Sequence, residues 1–243
     1  MILSLRGVSK HFGGIRALDS CSMDVNAGSI TAIIGPNGSG KSTLFSVISG
    51  LETAHRGTIF FCVHDITGLA PFEIARLGIS RTFQDVRLFR NLTIRDHLQI
   101  ALSSTDEQLL SSMLYASSAH DDQLRQILGA VRLEKSLDTV ATDLSYGQRK
   151  LLDLAVAIAK PHSFLMLDEP VAGVNPHLRQ TITSVLRTLS KKGETILLIE
   201  HDMNFVMDLA DTLFVMDEGK VIAHGPPTAI QRNKKVLAVY LGD

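Results

Sequence analysis

The residues Gly35-Pro-Asn-Gly-Ser-Gly-Lys41-Ser42 could hold the phosphates of a nucleotide. They match the spacing G-x-x-x-x-G-K-[ST] of a P-loop. Glycines let backbone N–H groups turn inward around an anion. A helix starting near Lys41 would add the positive end of its dipole. On this reading Gly35, Pro36, Asn37, Gly38, Ser39, Gly40, Lys41, Ser42 and Thr43 bind nucleotide. Lys41 would reach the β- and γ-phosphates, and the Ser42 hydroxyl would bind Mg²⁺. A tight glycine turn with a surface lysine would explain the glycines, but not the full spacing set between a strand and a helix. The dinucleotide fingerprint G-x-G-x-x-G is absent.

A second candidate is the acidic pair Asp168-Glu169, which follows the apolar run Phe164 to Leu167. A buried strand of this form, a Walker B strand, places both carboxylates at the carboxyl edge of a sheet, where open α/β folds bind ligands. Asp168 would hold Mg²⁺ and Glu169 would polarise the attacking water as general base. An acidic pair at a strand end is by itself an ordinary surface feature; the P-loop upstream is what gives it chemistry.

The elements that must carry these residues can be read from apolar patterning. Ile30 to Ile34 is a β-rich run, and Lys41 to Ile48 reads as a helix after the glycine turn. Thr58 to Val63 reads as a further strand. From about Asn91 the character changes. Thr93-Ile-Arg-Asp96 is a helix start signal, after which Ile94, Leu98, Ala101 and Leu102 share a face. Gln123 to Leu133 is another helix candidate, and Ser103 to Asp122 is open between helix and loop. A strongly apolar helix then runs from about Arg149 to Ala159. Strand Phe164–Leu167, helix Pro176–Leu189, strand Ile196–Ile199, helix Met203–Leu209 and strand Leu213–Met216 follow. This alternation predicts an α/β fold with a mainly parallel sheet and helices on both faces. The whole chain, 1–243, reads as one domain. Residues 1–85 and 160–243 form its α/β core, and about 86–159 an inserted helical subdomain.

Leu144-Ser-Tyr-Gly-Gln148 narrows the class. Ser145 is a good N-cap for the helix that follows. Its hydroxyl, the Gly147 backbone N–H and the helix start together make an anion site. The segment resembles the ABC signature L-S-G-G-Q, with Tyr146 in place of the first glycine. The order P-loop, Q-loop, signature, Walker B, histidine resembles that of the ABC ATPases over almost the whole chain. That resemblance implies a P-loop NTPase core of RecA type, with an antiparallel β part and the helical insert. It implies that Phe12 stacks on adenine, that Gln84 senses Mg²⁺ and the transmembrane partner, and that His201 contacts the γ-phosphate. It also implies that two subunits bind head to tail. Each ATP then lies between the P-loop of one and Ser145, Gly147 and Gln148 of the other. Phe12 alone would read as core, and His201 as a surface or capping residue.

Several stretches resemble the ATPases of branched-chain, or hydrophobic, amino-acid uptake systems. They are Phe12-Gly-Gly-Ile-Arg-Ala-Leu-Asp19, Ile79-Ser-Arg-Thr-Phe-Gln84, Ala172-Gly-Val-Asn-Pro176, Ile199-Glu-His-Asp-Met203 and Val239-Tyr-Leu-Gly242. The resemblance implies ATP and Mg²⁺ as cofactors. It implies transmembrane permease subunits, a second ATPase subunit and, indirectly, an extracytoplasmic substrate-binding protein as partners. A peripheral place on the cytoplasmic face of the inner membrane follows. A related urea importer or a lipopolysaccharide-export ATPase stands as the alternative reading. The helical insert is short for the group, and Asn175 stands where many ABC proteins carry an aspartate.

Composition removes other classes. The formal charge of −1, without a basic tract, gives no basis for nucleic-acid binding. A soluble ABC ATPase of DNA or ribosome function would carry a long coiled coil, a second cassette or basic surfaces. A GTPase would need Asn-Lys-x-Asp, and Asn233-Lys-Lys-Val236 lacks the aspartate. Cys21 and Cys62 are far apart, so neither a disulfide framework nor a zinc site is expected. No apolar run approaches the roughly 20 residues of a membrane span, and the first residues lack the pattern of a secretory signal.

Overall fold

A computed structural model describes residues 1–103 and 118–241. It divides into two units. The first comprises Met1–Arg81, Ser163–Glu169 and Leu189–Asp243; the second comprises Thr82–His162 and Pro170–Thr188.

The first unit is built on two sheets. Strands β1 (Leu3–Phe12), β2 (Ile15–Val25), β4 (Arg56–Phe61) and β5 (His64–Asp65) make an antiparallel sheet in the order β2-β1-β4-β5. From Cys21 on, β2 alternates inward Cys21, Met23 and Val25 with outward residues, as a one-sided sheet requires; before it, Ser20 (φ 54°) breaks the register, and Leu18 is buried as well. The second sheet has the order β10-β9-β3-β8-β7-β6. Its strands are β3 (Ile30–Ile34), β6 (Ile79–Arg81), β7 (Phe164–Asp168), β8 (Thr195–Ile199), β9 (Thr212–Asp217) and β10 (Lys220–Gly225). All neighbours pair in parallel except β9 and β10. Every residue of β3, β7 and β8 is buried, the signature of strands covered on both faces. The helices of this unit include α1 (Lys41–Ile48), α2 (Pro71–Arg76), α7 (Met203–Leu209), α8 (Pro227–Ile230) and α9 (Lys234–Leu241). Phe45 and Ile48 of α1 pack into one core with Leu5, Phe61, Phe164 and Leu197.

The second unit is helical. It holds α3 (Ile94–Leu102), α4 (Ser118–Ala130), α5 (Tyr146–Ala159) and α6 (Pro176–Lys191) up to Thr188. Thr93 caps α3 in a reciprocal box: its hydroxyl accepts from Asp96 N–H, and the Asp96 carboxylate accepts from Thr93 N–H. α4 starts and ends earlier than the expected Gln123–Leu133. Arg132 takes a left-handed conformation, and Leu133 N–H reaches back to Leu128 O while Arg132 N–H reaches Gly129 O. That pair of bonds is a Schellman stop. Of the open stretch Ser103–Asp122, residues 118–122 are helical and 104–117 lie outside the described residues.

The division also differs from the sequence grouping. Pro170–Thr188 was expected with the core and clusters with the helical unit. The cause is side-chain packing: Tyr146 Oη donates to Ala172 O (3.3 Å), and Arg132 donates to the Ser184 hydroxyl (2.7 Å). Leu178 lies so close to Gly147 that a Cβ there would sit 2.3 Å from Leu178 Cδ2.

Candidate functional site

The buried strand β3 delivers the chain into the glycine loop, and α1 leaves it. Two glycines are demanded by packing. A Cβ on Gly35 would sit 2.1 Å from Met216 O, and one on Gly40, at φ 100°, would sit 2.3 Å from Ala17 O. The loop is therefore pressed against the backbones of β9 and β2. Gly219 N–H, in the β9–β10 turn, donates to Ser39 O (3.0 Å) and holds it there. Asn37, Gly38 and Ser42 face outward, whereas Ser39 is buried. The first turn of α1 has no side-chain cap and no acidic residue, so its N–H groups point out of the helix end uncapped by the protein.

Lys41 is buried, and its ammonium donates to Gly35 O (2.9 Å) and Pro36 O (2.8 Å), with Ser39 Oγ at 3.4 Å. Burial lowers its pKa, while the Glu169 and Asp168 carboxylates act in the opposite sense. Both acids thus lie within electrostatic reach of the P-loop lysine.

Asp168 ends β7 and is buried. Its Oδ2 pairs with the Arg81 guanidinium at 3.2 Å. Glu169 follows in a left-handed conformation (φ 49°), uncommon for a residue other than glycine and fixed here by its N–H bond to Ile199 O (3.0 Å). Its Oε1 lies 3.5 Å from Nδ1 of His201, a largely exposed imidazole just past β8. The sheet order places β7 and β8 side by side, which is why residues 168, 169 and 201 converge at one strand edge. Phe12 is exposed at the end of β1, with the Lys10 ammonium 4.9 Å from its ring centroid. Lys10 is itself fixed by Glu52 (2.8 Å) and Thr53 O (3.0 Å).

The remaining candidates belong to the second unit. Ser145 caps α5: its hydroxyl accepts from Gln148 N–H (3.3 Å), and Gln148 Oε1 accepts from Ser145 N–H (3.0 Å). The helix therefore begins three residues earlier than its apolar pattern starts. Lys150, buried on α5, donates to the backbone oxygen of Gln84 (2.9 Å).

Sequence reasoning missed Arg81, Lys150 and Lys10. Each is a cation buried by tertiary contacts, and only Arg81 had a signal, standing inside the quoted stretch Ile79–Gln84. The oxygen donors suit Mg²⁺. The Ser42 hydroxyl is exposed and the Asp168 carboxylate is held in place. Among the described residues no three His, Cys, Asp or Glu side chains gather into a cage. Mg²⁺ needs no such cage, because it keeps waters and shares substrate phosphates.

Comparison with known proteins adds the following. The family model "ABC transporter" matches residues 18–172, and "Branched-chain amino acid ATP-binding cassette transporter" matches residues 220–243. A probable branched-chain amino acid transport ATP-binding protein of Archaeoglobus fulgidus is 39% identical over 245 residues, 99% of this chain and 95% of that protein. A high-affinity branched-chain amino acid transport ATP-binding protein of Escherichia coli K12 is 35% identical over 250 residues, 100% of this chain and 98% of that protein. Among solved structures, a nucleotide-free ATP-binding cassette from an ABC transporter superposes with a TM-score of 0.87 at 35% identity, covering 100% of this chain and 99% of that one. An ADP conformation of an ATP-binding cassette superposes with a TM-score of 0.85, also at 35% identity, with coverage of 100% and 99%.

Proposed function

The chain belongs to the ABC transporter family, and from that premise we propose that it is the ATP-hydrolysing subunit of an importer of branched-chain amino acids. The observation that carries the chemistry is the meeting of Glu169 and His201, 3.5 Å apart, at the strand edge within reach of the buried Lys41 ammonium. Lys41 and the N–H groups of residues 38–43 bind the β- and γ-phosphates, and Phe12 stacks on the base. Ser42, Asp168 and Gln84 hold Mg²⁺, which when bound neutralises charge on the phosphates. Glu169 takes a proton from the attacking water. The new bond forms at the γ-phosphorus as its bond to the bridging oxygen breaks, giving ADP and phosphate. His201 steadies the γ-phosphate. Ser145, Gly147 and Gln148 complete the site of a second ATPase subunit.

The substrate class rests on the relatives' names and on the match at residues 220–243. No helix among the described residues is long and apolar enough to cross a membrane. The chain is membrane-associated through permease subunits, on the cytoplasmic face, and an external binding protein supplies the substrate. Affinity purification of the tagged chain from native membranes tests this reading. Permease chains should co-purify, and the complex should show Mg²⁺-dependent ATP hydrolysis stimulated by leucine-loaded binding protein. Recovery of the chain without a membrane partner would refute it.

A further inference from the structure

Arg81 lies at the end of β6, beside Met166 of β7, and is nine-tenths buried. One arm, Nη2, meets Asp168 Oδ2 at 3.2 Å. The other, Nη1, donates to the Ser49 hydroxyl at 2.7 Å, and that hydroxyl donates to Phe45 O at 2.8 Å. The guanidinium carbon is 5.5 Å from the Phe45 ring centroid. Ser49 is the C-cap of α1, the helix whose first residues are Lys41 and Ser42. One rigid fork therefore spans two elements: the helix that carries the Ser42 hydroxyl and the strand that carries the Asp168 carboxylate. Gln84 follows Arg81 by three residues in the chain.

A buried ion pair is a poor device for stability alone. Desolvation of the two charges offsets most of their attraction, and a well-packed apolar pair of the same volume often does as well. What such a pair supplies is fixed geometry. The planar guanidinium, with two arms used on two partners, does this in a way a flexible ammonium cannot.

We propose that Arg81 is a positioning residue for the Mg²⁺ site, setting where the Asp168 carboxylate stands relative to the Ser42 end of α1. This rests on the reading of Asp168 and Ser42 as Mg²⁺ ligands. Partners that orient a metal-binding carboxylate typically carry about 10–100-fold in metal affinity. Arg81→Lys keeps the charge but loses the fork. Ser49→Ala removes one anchor of the fork and leaves the charge pair.

The test is a Mg²⁺ titration at fixed ATP, read by the nucleotide-induced rise in melting temperature, alongside ATP binding in EDTA. Arg81→Lys should raise the half-saturating Mg²⁺ by about 10–100-fold. Ser49→Ala should raise it less, and neither should change ATP affinity in EDTA. A purely structural role would lower the nucleotide-free melting temperature without moving the Mg²⁺ midpoint. Two variants with the wild-type midpoint would therefore overturn the inference. If Arg81→Lys does not fold, Ser49→Ala decides alone. Asp168→Asn separates the two levels. If it too leaves the midpoint unchanged, the assignment of Asp168 as a Mg²⁺ ligand fails and the inference falls with it. If Asp168→Asn shifts the midpoint and the Arg81 and Ser49 variants do not, only the inference fails.

Discussion

Replacing Lys41 by alanine should have two separable effects, because the ammonium bonds its own loop in the structure and, on the proposed function, also the phosphates of ATP. Within its own loop it bonds Gly35 O and Pro36 O. A hydrogen bond to a charged group is worth about 1.5–3 kcal/mol. The burial that lowers the Lys41 pKa takes back part of that. A net loss of about one such bond is expected in the nucleotide-free protein. With Mg-ATP at a hundred times its dissociation constant, binding adds about 2.7 kcal/mol to the wild type. For a chain of this size that is a rise of about 5–11 °C in melting temperature. If losing the phosphate contacts weakens ATP about a hundredfold, the same ATP concentration adds only about 0.4 kcal/mol, or roughly 1–2 °C. Paired melts with and without Mg-ATP measure both effects. A Lys41→Ala protein that starts lower yet keeps the full ATP rise would show that the lysine braces the loop without holding phosphate, and the nucleotide-site argument would lose its centre.

Glu169→Gln should keep ATP binding and cut hydrolysis by about 10²–10⁴-fold, since it keeps the shape but not the basic carboxylate. It should also accumulate an ATP-bound dimer on size-exclusion chromatography, which Ser145→Arg in the same chain should break; hydrolysis at the wild-type rate would remove Glu169 from the chemistry. Phe12→Ala should weaken ATP and GTP alike, by about 1–3 kcal/mol for one lost stacking surface. A loss confined to ATP in competition binding would point to a polar base reader instead. Asp153, on α5, has its carboxyl pushed up to about 6 by burial, opposed by the Lys150 ammonium. Its folded value lies above the unfolded one, so the native state binds more protons in that window and stability falls as pH rises through it. Asp153→Asn should therefore stabilise the protein by up to about 3 kcal/mol near pH 8. The gain should shrink toward pH 5 in denaturant melts, and a pH-independent gain would rule out the buried charge as its cause.

Legibility followed the range of the interactions. The P-loop is a local object, and β3 and α1 fall on Ile30–Ile34 and Lys41–Ile48 as the sequence predicts. α7 likewise spans Met203–Leu209. The expected strand Thr58–Val63 runs instead as Arg56–Phe61, because Cys62 turns the chain with a positive φ into β5. β10 carries only the short apolar run Val221–Ala223 and none of its residues is fully buried, so no alternation marks it, and β5, α2 and α8 are too short to show a period. The candidate site residues stand out in the sequence by type; the residues that support them do not. Arg81 and Asp168 are 87 residues apart, and a pairing at that separation leaves no pattern in either neighbourhood. The same holds for the second unit: nothing in Pro170–Thr188 announces that it packs on Tyr146, Gly147 and Arg132.

Two of the departures from the family pattern, Tyr146 and Asn175, gain a physical reading from that packing. Tyr146 replaces a signature glycine, yet its backbone still opens α5 under the Ser145 cap. Its side chain goes to Ala172 O, and its ring lies 3.4 Å from where a Cβ on Gly173 would be. A Cβ at 173 would only touch that ring; it is the φ of 70° that asks for glycine there. Asn175 loses the charge of the aspartate it replaces, but its Oδ1 accepts from Leu178 N–H at 2.9 Å and caps α6, a task asparagine and aspartate perform about equally. Both residues therefore serve a helix start, Tyr146 opening α5 and Asn175 capping α6, and Tyr146 ties the signature turn to Ala172, just ahead of α6. A glycine at 146 would free that turn from Ala172. The tyrosine thus ties down the turn that carries Ser145 and Gly147, the residues proposed to meet a partner's nucleotide.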